Sequence, residues 1–76
     1  MNQEYTYHVI SESLWHQDIG DYVSHGVAAA SKYRFTKISD VSVDKEEVRS
    51  LVWLCNENEL DICQLRDVVE DWLEGF

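Results

Sequence analysis

The last sixteen residues, 61–76, constrain the fold of this chain most strongly, because their apolar positions follow the period of an α-helix. These positions recur at spacings of three and four, which places them on one helix face: Ile62, Leu65, Val68, Val69, Trp72, Leu73 and Phe76. Asp61 is suited to cap this helix, since its carboxylate can accept hydrogen bonds from the free amides of the first turn, and Gln64 completes a capping-box pattern. The rest of the chain must therefore supply an apolar surface that covers this helix.

The opposite face of the same predicted helix is acidic and carries Asp67, Glu70, Asp71 and Glu74. The last three of these crowd the C-terminal end, where the helix macrodipole disfavours negative charge by roughly 0.3–1 kcal/mol per group at low salt. A locally destabilising arrangement of charges that is retained at a surface can indicate a function. The alternative is a solvated acidic face that is tolerated because packing dominates.

A second helix is predicted at residues 44–55, after the apolar period changes from two to about 3.6. Asp44 and Glu47 repeat the capping-box spacing at its start. Its apolar stripe is Val48, Leu51, Val52 and Cys55. Residues 56–59 break the pattern, and either Asn56 or Asn58 is expected to adopt the left-handed conformation that ends helices.

The N-terminal half has the alternation and the aromatic and β-branched residues of strands. The predicted strands are residues 5–12, residues 22–30 and a short third one at about residues 33–39. Residues 13–21 are predicted to connect the first two as a hairpin, with Gly20 at the positive φ of a tight turn. Gly26 indicates either a bulge or a close backbone approach.

Together these segments predict an α+β fold: a small antiparallel sheet of two or three strands from the N-terminal half, covered on one face by a C-terminal antiparallel helix pair. The helices are expected at residues 44–55 and 62–74. With 76 residues the chain is predicted to form a single domain, with residues 1–42 as the sheet portion and residues 43–76 as the helical hairpin.

The charge of the chain is strongly acidic, with 15 acidic and 6 basic residues and a formal net charge of −9. From Asp40 onward there are 11 acidic and 3 basic residues, against 4 and 3 in residues 1–39. Such a charge opposes direct binding to nucleic acid or to an anionic membrane surface. The chain begins without the pattern of a secretion signal and has no apolar run of membrane-spanning length, so we expect a cytoplasmic protein with reduced Cys55 and Cys63.

Four segments of the chain resemble a known group of sequences: Tyr22-Val23-Ser24-His25-Gly26-Val27, Ile38-Ser39-Asp40-Val41-Ser42-Val43-Asp44-Lys45, Leu54-Cys55-Asn56-Glu57 and Asp67-Val68-Val69-Glu70-Asp71-Trp72-Leu73. They are similar to an uncharacterised family of small acidic bacterial proteins, a domain of unknown function. The resemblance covers roughly residues 22–73 and leaves residues 1–21 outside. It implies a bacterial, soluble, non-secreted protein and supplies no activity.

No residue pattern of the chain matches a usual catalytic or metal-binding motif. The three glycines are isolated, and neither G-x-S-x-G nor H-E-x-x-H occurs. The possible zinc ligands have no usual ligand spacing: His8, His16, His25, Cys55 and Cys63. We therefore expect no enzyme activity, no metal and no cofactor. A reactive thiol at Cys63, in the first turn of the second helix, stays as an alternative.

The leading functional hypothesis is a non-enzymatic interaction protein whose unknown protein partner carries a basic surface. The residues expected to bind this partner are Trp53, Asp67, Glu70, Asp71 and Glu74. Trp53 falls nearly opposite the apolar stripe of its helix, so it is either an interface residue or sandwiched between elements. Trp15 has the same ambiguity. The alternatives are a homodimer assembled through Trp53 or an open sheet edge, and a nucleic-acid mimic that occupies a basic partner.

Overall fold

Three antiparallel strands precede two helices in the computed structural model, which describes residues 5–75. The strands form one sheet in the order β1-β2-β3, and both helices pack on it. The elements are β1 (Thr6–His16), β2 (Gly20–Ala30), β3 (Phe35–Ser42), α1 (Lys45–Glu57), a 3-10 turn (Ile62–Gln64) and α2 (Leu65–Gly75). The predicted α+β fold is confirmed, and the sheet has the third strand.

The core lies between one face of the sheet and the helices, and it joins side chains from the three strands and the two α-helices. Its buried residues are Tyr7, Val27, Ala29, Val41, Val48, Leu51, Val52, Cys55, Leu65 and Val69. The predicted apolar stripe of α1 is confirmed, since all four of its residues are buried. Burying one such side chain contributes about 1.5–3 kcal/mol, so this stripe is the main attachment of α1 to the sheet.

The first hairpin is longer than the sequence predicted, and the assignment of residues 13–16 to a connection was wrong. β1 continues to His16, with Leu14 opposite Tyr22 and Trp15 opposite Asp21. Only residues 17–19 form the turn, and Gly20 closes it at the predicted positive φ of 79°. Pairing with residues 20–23 of β2 holds this segment extended, and the local sequence pattern did not indicate this pairing.

The predicted bulge and the predicted close approach at Gly26 are both confirmed. The register between β2 and β3 shifts between His25 and Val27, and a Cβ atom at Gly26 would collide with the carbonyl oxygen of Ile38. Asp40 lies within the irregular part of β3 and has a φ of 57°. Only a residue without a side chain lets β3 come this close to β2.

The helix α1 ends in a Schellman motif, with the left-handed conformation at Glu59 (φ 49°). The Leu60 N–H donates to the Cys55 carbonyl at 3.0 Å, and the Glu59 N–H donates to the Asn56 carbonyl at 3.2 Å. The expectation that Asn56 or Asn58 takes this conformation was wrong. In a Schellman motif the left-handed residue directly follows the C-cap residue. The C-cap residue is Asn58, which has a φ of −94°, so Glu59 takes the left-handed conformation.

Asn56 instead fixes the end of α1 to the edge of the sheet. Its side-chain Oδ1 accepts from the Tyr7 N–H at 2.9 Å, and its Nδ2 donates to the Tyr7 carbonyl at 3.0 Å. The Tyr7 hydroxyl donates to the Leu60 carbonyl at 2.5 Å. Burial, together with the nearby Cys55 and Asp61, raises the pKa of Tyr7 to about 12. We call these three hydrogen bonds the Tyr7 clamp.

The predicted inward face of the second helix is confirmed only in part. Asp61 caps the segment by accepting from the Cys63 N–H at 2.9 Å, and the first turn is 3-10 rather than α. Leu65 and Val69 are buried, and three further residues pack against the core at intermediate exposure: Ile62, Val68 and Trp72. Leu73 is 57% exposed, so its predicted burial was wrong. α2 contacts the sheet mainly through β3, and this single strand does not cover Leu73. Phe76 lies outside the described residues.

We predict that Glu59→Gly stabilises the fold by about 0.5–1 kcal/mol. A left-handed conformation costs a residue with a Cβ roughly 1–2 kcal/mol, and the extra freedom that glycine gives the unfolded chain offsets part of this gain. Urea denaturation measures the difference. The matched control is Glu57→Gly, which lies in the last turn of α1 and is expected to lose about 0.5–1 kcal/mol. A Glu59→Gly variant no more stable than wild type would contradict the strained cap.

Candidate functional site

An apolar groove lies between α1 and α2. It encloses about 350 Å³. Its polar lining residues are Asn58 and Asp71, and its apolar ones are Leu51, Leu54, Cys55, Leu60, Val68 and Trp72. A volume of this size is at the lower end of the range for ligand pockets, and it suits one or two apolar side chains.

The groove follows from the way in which the two helices meet the sheet. α1 contacts all three strands, whereas α2 contacts the sheet mainly through β3. The Tyr7 clamp holds the turn between the helices against β1, at the far edge of the sheet. The two helices thus meet at this turn, and the side chains of Leu54, Val68 and Trp72 line the space between them.

The acidic side chains predicted to bind a partner form a continuous exposed face on α2. Asp67, Glu70, Asp71 and Glu74 are all exposed, at the spacing that places them on one side of a helix. Among residues 5–75 the ion pairs are Lys37–Glu12, Arg49–Glu46 and His16–Asp18, so none of them neutralises this face. The last turn of α2 has no basic residue. Asp71 also lines the groove, which gives the groove one negatively charged wall.

Trp53 is 60% exposed, on the side of α1 that faces away from the sheet. It does not line the groove, where the neighbouring Leu54 takes the corresponding place. The structure therefore brings Asp71 to the groove but leaves Trp53 on a separate part of the surface. Trp15 is 69% exposed near the end of the first hairpin.

The cysteines and histidines do not gather into a reaction site in the described part of the chain. Cys55 is buried, and this burial raises the pKa of its thiol. Cys63 is exposed in the 3-10 turn. Ser11 Oγ and His25 Nδ1 are hydrogen-bonded at 2.8 Å, but no hydrogen bond or ion pair within residues 5–75 joins His25 to a carboxylate. In the same residues, no three His, Cys, Asp or Glu side chains are close enough together to hold a metal ion.

A basic and aromatic turn between β2 and β3 was missed by the sequence analysis. Tyr33 is 85% exposed, with Lys32 Nζ at 5.6 Å from its ring centroid, and Phe35 is also exposed. Lys32 and Arg34 lie in this turn and Lys37 follows in β3, so residues 32–37 hold three of the six basic residues of the chain. The sequence feature that could have indicated it is this cluster of basic residues in an otherwise acidic chain. These basic residues approach the start of α2, because Lys37 lines one surface pocket together with Arg66 and Asp67.

We predict that Trp72→Ala destabilises the fold by about 2–3 kcal/mol, because the indole of Trp72 packs against the core. Trp53→Ala is the matched control and is expected to change the stability by less than about 0.5 kcal/mol, since its side chain is mostly in water. Chemical denaturation followed by circular dichroism measures both. Equal stabilities of the two variants would show that α2 does not depend on its apolar face.

Comparison with known proteins gives a family and no activity. The model of a family of unknown function, DUF6514, matches residues 1–75. The predicted resemblance to a domain of unknown function is thereby confirmed, and the match extends beyond residues 22–73 to include the first hairpin. No curated protein and no solved structure matches the chain. Neither helix within residues 5–75 has the length and apolar composition that crossing a bilayer requires.

Proposed function

The chain belongs to the DUF6514 family of unknown function, and we propose that it is a non-enzymatic interaction module that binds a basic protein partner through α2. The proposed ligand is a cationic amphipathic segment of that partner. Its apolar side chains enter the groove between α1 and α2, and its Lys and Arg side chains lie along the acidic face. The observation that carries this proposal is the position of Asp71, which belongs to both surfaces.

The groove supports the apolar half of this interaction. Leu54, Val68 and Trp72 leave apolar surface in contact with water, and the fold itself does not cover it. Burying one leucine-sized side chain of a partner there contributes about 1.5–3 kcal/mol. Recognition of an amphipathic helix in a groove of this kind is a recurring mode of peptide binding.

The acidic face supports the electrostatic half. Four carboxylates without an ion pair among the described residues attract a basic segment as it approaches, and Glu70, Asp71 and Glu74 lie towards the negative end of the α2 dipole. This attraction acts over about 8 Å at physiological salt, so it sets the association rate and the choice of partner more than the final affinity. Trp53 lies outside the groove, and we include it as a peripheral contact for a partner that crosses α1.

The proposal predicts specific binding of a designed probe, a fluorescent helical peptide with leucine on one face and lysine on the other. Glu70→Lys combined with Asp71→Lys is expected to weaken this binding at least about tenfold, measured by fluorescence anisotropy. The matched control is Asp18→Lys with Asp21→Lys, which changes the net charge equally at two exposed sites of the first hairpin. This control is expected to stay within about twofold of wild type, since neither residue belongs to α2 or lines the groove.

Two further results separate the proposal from general charge attraction. Leu54→Gln should weaken binding of the amphipathic peptide while leaving a peptide of the same composition and scrambled order unaffected, because only the former has an apolar face. If both charge variants lose binding equally, the probe senses only net charge, and the proposed site is wrong. The absence of any binding by wild type would also contradict the proposal.

A further inference from the structure

The outer edge of β1 presents main-chain groups that no other strand uses. Tyr7 directs both its N–H and its carbonyl away from β2, since both bond to Asn56. β1 pairs with β2 without a bulge, so the same orientation recurs at every second residue. Three exposed residues follow in this series: Ser11, Ser13 and Trp15. Within residues 5–75 no hydrogen bond is made by the outward main-chain groups of these three.

Beyond Tyr7, whose outward groups Asn56 occupies, this edge lacks several of the features that keep sheet edges apart in other proteins. β1 contains no Lys, no Arg and no Pro, and its register has no bulge. Its one carboxylate, Glu12, pairs with Lys37 at 2.8 Å, so the strand presents little net charge. Trp15 and Val23 lie on one face of the hairpin and are both more than half exposed, which adds apolar surface beside the edge.

We propose that β1 pairs antiparallel with β1 of a second copy, about a two-fold axis at Ser13. Ser11 of each copy then lies opposite Trp15 of the other, and Ser13 lies opposite itself. Each of these pairs can exchange both main-chain hydrogen bonds, because all of them use outward-facing groups. The arrangement is self-complementary, as a two-fold interface requires.

The distribution of charge favours a second copy over a different partner at this edge. Residues 1–39 carry 4 acidic and 3 basic residues, whereas the large acidic excess begins at Asp40. Two copies that meet at β1 therefore bring together their nearly neutral halves, and a strongly basic or acidic partner would find no complementary charge there. This proposal does not depend on the function assigned to α2.

Sedimentation equilibrium over a range of protein concentrations tests the proposal. We expect the mass to rise with concentration from 8.9 kDa towards twice that value. Ser13→Pro is expected to raise the dissociation constant of the dimer at least about tenfold, because proline removes an outward N–H without removing a bond between β1 and β2. Ser13→Ala keeps this N–H and should dimerise like wild type. Circular dichroism checks that both variants are folded.

A constant mass of 8.9 kDa at all concentrations would overturn the proposal, as would a folded Ser13→Pro variant that dimerises like wild type. If Ser13→Pro does not fold, hydrogen exchange of the wild-type chain decides the question. The amides of Ser11, Ser13 and Trp15 should exchange more slowly as concentration rises, while the Tyr33 amide, which bonds to Ser31 Oγ, should not change. Equal exchange of the three amides at all concentrations would contradict edge pairing.

Discussion

The Tyr7 clamp is the interaction on which the rest of the structure depends. It joins the edge strand β1 to the end of α1, 49 residues further along the chain, and to the turn between the helices. The carboxamide of Asn56 bonds to the main chain of Tyr7 as a neighbouring strand would, and the phenol of Tyr7 holds the carbonyl of Leu60. A buried carbonyl without a partner costs about 1–3 kcal/mol, so these bonds specify where the turn must lie. The strained conformation of Glu59 is kept because it brings Leu60 to this position.

The surfaces of the molecule follow from this arrangement. A domain of 76 residues buries only a modest share of its apolar surface. Its sheet has three strands and is too narrow to cover the apolar faces of both helices fully. α1 covers the strands, α2 lies beside β3, and the gap between the helices becomes the apolar groove. The acidic face of α2 is kept in water, next to that groove. The hairpin formed by β1 and β2 has exposed apolar side chains and an open edge on its outer half. The molecule therefore has two exposed surfaces of different character, one charged and one nearly neutral.

Sequence periodicity predicted which faces of the helices carry apolar and acidic side chains, because that information is local. It predicted the buried stripe of α1 and the exposed carboxylates of α2 at their correct residues. It did not predict that Leu73 is exposed, because periodicity gives the direction of a side chain but not the width of the surface that covers it. The Tyr7 clamp, the extension of β1 to His16 and the groove at Leu54 and Trp72 all depend on contacts between distant segments. The local pattern of Asn56 indicated only a helix end, whereas its side chain pairs with a strand.

The most direct test of the clamp is the pH dependence of the unfolding free energy of wild type and Tyr7→Phe. The pKa of Tyr7 is raised from 10.0 to about 12 in the folded state, so its neutral hydroxyl stabilises the fold below pH 10 and this contribution is lost as pH rises towards 12. Urea denaturation at successive pH values should therefore show wild type losing stability over this range more steeply than Tyr7→Phe. Parallel curves for the two proteins would mean that the Tyr7 hydroxyl is not held in a buried hydrogen bond, and would contradict the central role of the clamp.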